Sequence, residues 1–266
     1  MKIGIMGHRG VVGRALFKVF SRKFSTIGYD IKERSSINDI KKTDICFLCL
    51  PTPTVNGKQS LVAITSTLKS LKDMNYKGIV VIKSTILPGT TDSLSREFIG
   101  LTIINNPEFL SHKTAESDLL KQKDVIIGSG YKIDISKVIK LYHTLFDCNI
   151  KILLPVEAEM IKYMHNVYFA SKISVLNELH SVCQKFEVDY SKLIKEVSSI
   201  TGWLNLKHTQ VPGPDGEFGF GGTCFPKDFG ALLSVTEDLE IPTLRAAFES
   251  NKKRRHSLAK GVADAA

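Results

Sequence analysis

Over its first 155 residues the chain alternates short apolar runs with stretches of helical spacing, and this alternation restricts the fold more than any other feature. KIGIMG at the start, FSTIGYD, DICFLCL (44–50), GIVVIKS (78–84), LTIINN (101–106) and DVIIGS (124–129) read as strands. Helical stretches lie between several of them: VVGRALFKVFSR after the first, others near 61–75 and 133–146. Such an order predicts an α/β domain, a doubly wound parallel sheet with helices on both faces. After Pro155 the pattern changes. Residues 157–186 contain no proline or glycine and carry apolar residues at helical spacing, which predicts one long helix. A second helix is expected at 191–200, a glycine- and proline-rich loop at 202–226, and further helices at 227–238 and 243–258. The expected organisation is therefore an α/β domain over 1–155 and an all-helical domain over 156–266.

Composition narrows the setting. The 266 residues are 43% hydrophobic, enough for a sizeable core. No apolar run reaches the roughly 18 residues that span a bilayer, and the start MKIGIMG lacks the long apolar region of a secretory signal. No membrane association and a cytoplasmic location are expected. The five cysteines (46, 49, 148, 183, 224) match neither a disulfide framework nor a zinc pattern, so no metal is expected. Cys46 and Cys49 spell CxxC inside an apolar strand, where residues three apart point to opposite faces. The formal net charge of +9 is scattered, apart from KKRRH at 252–256, which reads as a solvated helix face. Small anionic ligands such as dinucleotides account for it better than nucleic acid does.

The segment after the first strand carries the first chemical signal. GIMGHRGVVG places glycines at 7, 10 and 13, one residue longer than GxGxxG, between a strand and a helix. Such a turn brings backbone close to a pyrophosphate at a helix N-terminus. Asp30 ends the second strand 20 residues past Gly10. A carboxylate there takes a ribose 2′-hydroxyl and repels a 2′-phosphate, which favours NAD over NADP. Arg9 and Arg34 are the cations placed to meet a 2′-phosphate instead, and a plain strand–helix turn with an exposed acid is the bland alternative. Lys162 and Asn166 lie four apart, on one face of the long helix. Together they are able to donate to one oxyanion; a solvated lysine and a polar neighbour would look the same. KSTILPGTT (83–91) and NPEFL (106–110) each follow a strand, so Thr85 and Glu108 are expected at the ligand-binding edge of the sheet.

CLPTPT, KSTILPGTT, NPEFL, AEMIKYMHNVYFASKISVLNEL and GFGGTCFPKD resemble, in order, the motifs of the UDP-glucose/GDP-mannose dehydrogenase family. The resemblance runs from residue 2 to about 251. It implies a Rossmann domain, a central helical domain used for dimerisation, and hence a homodimer. It also implies a third, nucleotide-binding domain, for which a chain ending at 266 leaves no room. The implied activity is four-electron oxidation of a nucleotide sugar at C6, UDP-glucose foremost, with NAD as cofactor. Cys224 would form a thiohemiacetal and then a thioester. Lys162 and Asn166 match the positions that stabilise the oxyanions, Asp228 the one that orders water or the lysine near the thiol, and Thr85 and Glu108 those that hold and activate the hydrolytic water. Gly7, Gly10, Val11, Val12, Gly13, Asp30, Thr52, Pro53, Thr85 and Lys227 match the cofactor side. Glu108, Phe109, Leu110, Lys162, Asn166, Phe220, Gly221 and Gly222 match the substrate side, where glycines 219, 221 and 222 let the thiol loop approach the sugar. Where the family continues NPEFL with a second glutamate, this chain has His112.

Two other readings stand beside this one. A two-electron β-hydroxyacid dehydrogenase shares the Rossmann-plus-helices layout and the lysine–asparagine spacing, but has no need of Cys224. A catalytically idle NAD-binding or dimerisation subunit would fit the short chain, and is opposed by the retention of the catalytic residue types.

Overall fold

The structure, a computed structural model, describes residues 1–33, 36–55 and 57–255. Arg34, expected as an alternative phosphate partner, and the end of the basic run at His256 lie outside the described residues. The chain divides into two units, Met1–Val55 with Gln59–Lys162, and Asn56–Lys58 with Tyr163–Ala266. No described helix is long and apolar enough to cross a membrane.

The elements of the first unit are β1 (Lys2–Met6), α1 (Val11–Phe20), β2 (Ser25–Tyr29), α2 (Ile37–Ile40), β3 (Ile45–Leu48), α3 (Val62–Asp73), β6 (Ile79–Ile82), α4 (Thr90–Glu97), β7 (Thr102–Asn105), α5 (Ala115–Lys121), β8 (Asp124–Gly128), α6 (Ser136–Leu145) and β9 (Asn149–Leu153). Two short strands, β4 (Thr54–Val55) and β5 (Lys58–Gln59), lie between β3 and α3. The seven-stranded sheet runs β2-β1-β3-β6-β7-β8-β9, the Rossmann-like arrangement. Alternate residues of each strand feed two separate cores. Ile3, Ile5, Ile45, Phe47, Val81 and Ile104 pack with Leu16, Phe20, Leu141 and Tyr142 from α1 and α6. Met6, Cys46, Leu48, Val80, Ile82 and Ile103 pack with Ile64, Leu68, Leu71 and Leu94 from α3 and α4. A strand buried on both faces reads as a continuous apolar run, which is why ICFL and IVVI showed no alternation. Cys46 belongs to one core and Cys49 packs against the other, so the two thiols face apart.

One pairing departs from the expected parallel sheet. β7 meets β8 antiparallel, through Asn105 and Gly128, and β8 then pairs parallel with β9. Apolar periodicity records which face a residue presents and carries no strand direction, so it was blind to this reversal. It missed β9 for a related reason: NIKIL is a half-exposed edge strand.

In the second unit, helix α7 (Pro155–Lys185) continues from the first unit, followed by α8 (Tyr190–Thr201), α9 (Phe225–Ser234) and α10 (Pro242–Arg254). Pro155 and Pro242 open their helices, where a missing N–H costs nothing. Asp189 caps α8 by accepting from the Lys192 backbone at 3.1 Å. α9 starts two residues before the expected position because Phe225 and Pro226 already form its first turn, which puts Cys224 at its N-cap. Val167, Ala170, Phe220 and Phe229 form one core and Leu176, Tyr190 and Val211 another. Along α7, Met164, Tyr168, Val175, Leu179 and Val182 remain exposed. Their spacing keeps them on one stripe.

Candidate active site

The site residues fall into a group in each unit. In the first, the glycine loop leaves β1 and enters α1. Gly7 has φ +79°, and a Cβ on Gly13 would overlap the carbonyl oxygen of Gly7. The turn therefore tolerates no side chain at the place where strand and helix meet. Gly10 is the N-cap of α1, and Val11 and Val12 begin the helix against the core. Asp30, nearly buried, follows β2 directly and closes on the same turn. Its carboxylate accepts from the Arg9 backbone at 3.3 Å and from the Lys32 backbone at 3.1 Å. Arg9 itself reaches Glu33 at 2.6 Å.

Beyond β3, β6 and β7 lie the other residues of this group. The Thr52 hydroxyl donates to the Thr85 carbonyl at 2.8 Å and the Gln59 amide to the same oxygen at 3.2 Å; Pro53 is exposed beside them. Glu108 accepts from the Leu110 backbone at 2.6 Å through one oxygen and pairs with Lys162 at 3.2 Å through the other. The side chains of this pair are 13% and 8% exposed, and the Lys162 ammonium also stands 5.3 Å from the centre of the Phe109 ring. Two residues that the motifs did not single out support this group. Glu159, one turn before Lys162, is buried and accepts from the Gly89 backbone at 2.6 Å, the Thr91 backbone at 2.7 Å and the Thr91 hydroxyl at 2.6 Å. It thereby ties α7 to the turn that follows Thr85. Lys83 is buried at the end of β6 and donates to the Pro107 carbonyl at 3.5 Å. Burial lowers its ammonium from 10.5 to about 8; Glu108 and Cys49 pull it back up, and Lys162 pushes it further down. His112 is exposed in the loop after Glu108.

In the second unit, Cys224 is exposed, and Thr223 places its hydroxyl 3.8 Å from the sulfur. Asp228 lies one turn along α9, and its backbone N–H bonds the Cys224 carbonyl at 2.9 Å. The Asp228 side chain is 1% exposed. It accepts from the Asn166 amide at 2.7 Å and, through its other oxygen, from the Lys227 ammonium. Because the carboxylate only accepts, it orients the Asn166 amide nitrogen toward itself and leaves the amide oxygen 2.9 Å from His165 Nδ1. That contact has no sequence signal beyond adjacency. Any negative charge developing near Cys224 lies at the N-terminal, positive end of α9.

The glycine loop before Cys224 is held from behind. Asn177 accepts from the Gly219 backbone at 2.8 Å, and Asn251 bonds both backbone groups of Phe220, at 2.6 and 3.0 Å. A Cβ on Gly221 would run into the Arg255 guanidinium. Gly222, with φ +73°, turns the chain outward to the thiol. The Phe220 ring is buried against Phe229 and Phe248, and Asn251 bonds its backbone groups. It packs with Val167, Ala170 and Phe229 in the core under the loop. Among the described residues no cluster of metal ligands occurs.

Comparison with known proteins agrees with this layout. Residues 30–146 match the NAD binding domain of the UDP-glucose/GDP-mannose dehydrogenase family, and residues 156–253 its central domain. The UDP-glucose 6-dehydrogenase of Rickettsia bellii is 30% identical over 81% of this chain and 51% of its own length. The chain spans about half the length of the curated relatives it matches. A UDP-glucose dehydrogenase structure from Pyrobaculum islandicum superposes with TM-score 0.83 at 24% identity, covering 95% of this chain and 68% of that one. The fold is also shared with the 3-hydroxyisobutyrate dehydrogenase of Mycobacterium tuberculosis, TM-score 0.73 at 16% identity, covering 95% and 92%.

Proposed function

Because the chain belongs to the UDP-glucose/GDP-mannose dehydrogenase family, we propose that it works in an NAD-dependent four-electron oxidation of a nucleotide sugar at C6, with UDP-glucose as substrate and UDP-glucuronate as product. The observation that carries the reading is Cys224: an exposed thiol at a helix N-terminus, one turn from a buried aspartate that is bound to Asn166 and Lys227. A simple alcohol dehydrogenase has no use for such a group.

In the proposed course, bound NAD would supply the hydride acceptor: C6 loses a hydride while its hydroxyl oxygen loses a proton to a base, leaving an aldehyde. The Cys224 sulfur adds to the aldehyde carbon, and the resulting oxyanion is met by the Lys162 ammonium and the Asn166 amide. After proton uptake this is a thiohemiacetal. Loss of the remaining C6 hydride, which a second NAD would accept, would turn the thiohemiacetal into a thioester. Water held at Thr85 and Glu108 then attacks the carbonyl; the C–S bond breaks and the thiol is regained with the carboxylate. Glu108 is suited to that work because Lys162 and the Leu110 N–H hold its carboxylate in one orientation. The exposed stripe on α7 supports a two-fold contact between copies of the chain.

The test is stoichiometry. Two NADH per sugar consumed are expected. Cys224→Ala should abolish uronate formation, and Cys224→Ser should accumulate an ester, whose poorer leaving group hydrolyses more slowly. One NADH per substrate, with Cys224→Ala fully active, would favour the β-hydroxyacid type of reaction that the shared fold also accommodates.

A further inference from the structure

We propose that Glu33 is a second determinant of cofactor choice, acting by engaging the one described cation of the glycine loop that would otherwise bind a ribose 2′-phosphate. The inference rests on reading that loop as the dinucleotide site. An arginine beside the end of β2 is the feature that accommodates a 2′-phosphate in this type of site, and Arg9 is placed for that work. Its backbone N–H bonds the Asp30 carboxylate at 3.3 Å, so its side chain starts beside the group expected to take the ribose hydroxyls. The side chain, 63% exposed, turns its guanidinium to Glu33 at 2.6 Å.

Glu33 is itself fixed. Its second oxygen lies 3.1 Å from His8 Nε2. The His8 ring is packed into the notch left by Gly28, where a Cβ would come within 2.6 Å of it, and against Phe17 at a centroid distance of 5.4 Å. The two consecutive residues between the first two glycines of the loop, His8 and Arg9, are thus both bonded to one carboxylate three positions beyond Asp30. An ion pair this exposed adds little to stability. Its effect is on recognition. A 2′-phosphate would have to displace Glu33 from Arg9, and would face two carboxylates, whereas a 2′-hydroxyl needs only Asp30.

The experiment is direct binding of NADH and NADPH to the full chain, followed by nicotinamide fluorescence and requiring no turnover. Glu33→Gln and Glu33→Ala are compared with the parent, and each is combined with Arg9→Ala. Thermal melting and retained NADH binding establish that the variants are folded. Releasing Arg9 in Glu33→Ala should tighten NADPH by about tenfold, the worth of one charge-assisted hydrogen bond, and leave NADH within about twofold. Glu33→Gln should fall between, and Arg9→Ala should remove the gain. An unchanged NADPH-to-NADH ratio in Glu33→Ala, or a gain that survives Arg9→Ala, overturns the role of Glu33 while the dinucleotide reading stands. A parent chain that binds neither nucleotide overturns both.

Discussion

Replacing Lys83 by methionine should change how the stability of the chain depends on pH. Lys83 is 4% exposed, and burial lowers its ammonium from 10.5 to about 8. Between pH 8 and pH 10.5 the unfolded chain still holds a proton that the folded chain has released, so Lys83 makes stability rise with pH across that window. At about 1.4 kcal/mol for each pKa unit, the whole span amounts to ~3 kcal/mol. Below the window the folded state bears the full cost of a buried ammonium; above it, none. Methionine fills similar space and does not titrate. Parent and Lys83→Met should be unfolded in urea at a series of pH values from neutral upward, followed by far-ultraviolet circular dichroism. Titrating groups that do not interact with Lys83 are shared and cancel in the difference. The parent should gain on the variant by ~3 kcal/mol over the window. A difference that stays constant with pH, or moves in the variant's favour, would refute the placement of a charged lysine in this core.

Two further outcomes follow from the second unit. Asp228→Ala leaves the buried Asn166 amide and the Lys227 ammonium without their shared acceptor, and should cost roughly 3 kcal/mol. Trp203, the sole tryptophan, lies in that unit and reports the loss by fluorescence; a cost below about 1 kcal/mol would show that the network is slack. Val175→Glu together with Val182→Glu charges the exposed stripe of α7, and should turn a dimer into a monomer in sedimentation at micromolar concentration. A parent that already sediments as a monomer would defeat that expectation.

What was legible in the sequence was what local pattern can carry. The glycine turn, Asp30 at the end of β2, the four-residue step from Lys162 to Asn166, and the loop to Cys224 were all visible, because each is a short-range arrangement with a physical reason. The partners that fix these groups were not. Glu108 finds Lys162 54 positions away and Asn166 finds Asp228 62 away, and no periodicity links such pairs. Lys83 stood inside a motif already singled out for Thr85, yet nothing in KSTILPGTT says that the lysine is buried and the threonine half-exposed. Nor does the string GFGGTC say that the Phe220 ring turns into the core.

The backing of the Cys224 loop bears on how such a motif can be moved. Asn177, Asn251 and Arg255 lie 31 to 42 positions away from the glycine-loop groups they bond. Transplanting residues 219–228 into another helical scaffold would carry the thiol and its glycines but none of these props. The grafted peptide would be free to take the many backbone shapes open to glycine, and the sulfur would point in no fixed direction. A working cassette has to include the matching faces of α7 and α10, so the smallest portable unit is three helices and a loop. Exchange of the ten-residue string alone between relatives should succeed only where those distant asparagines and the arginine are already in place.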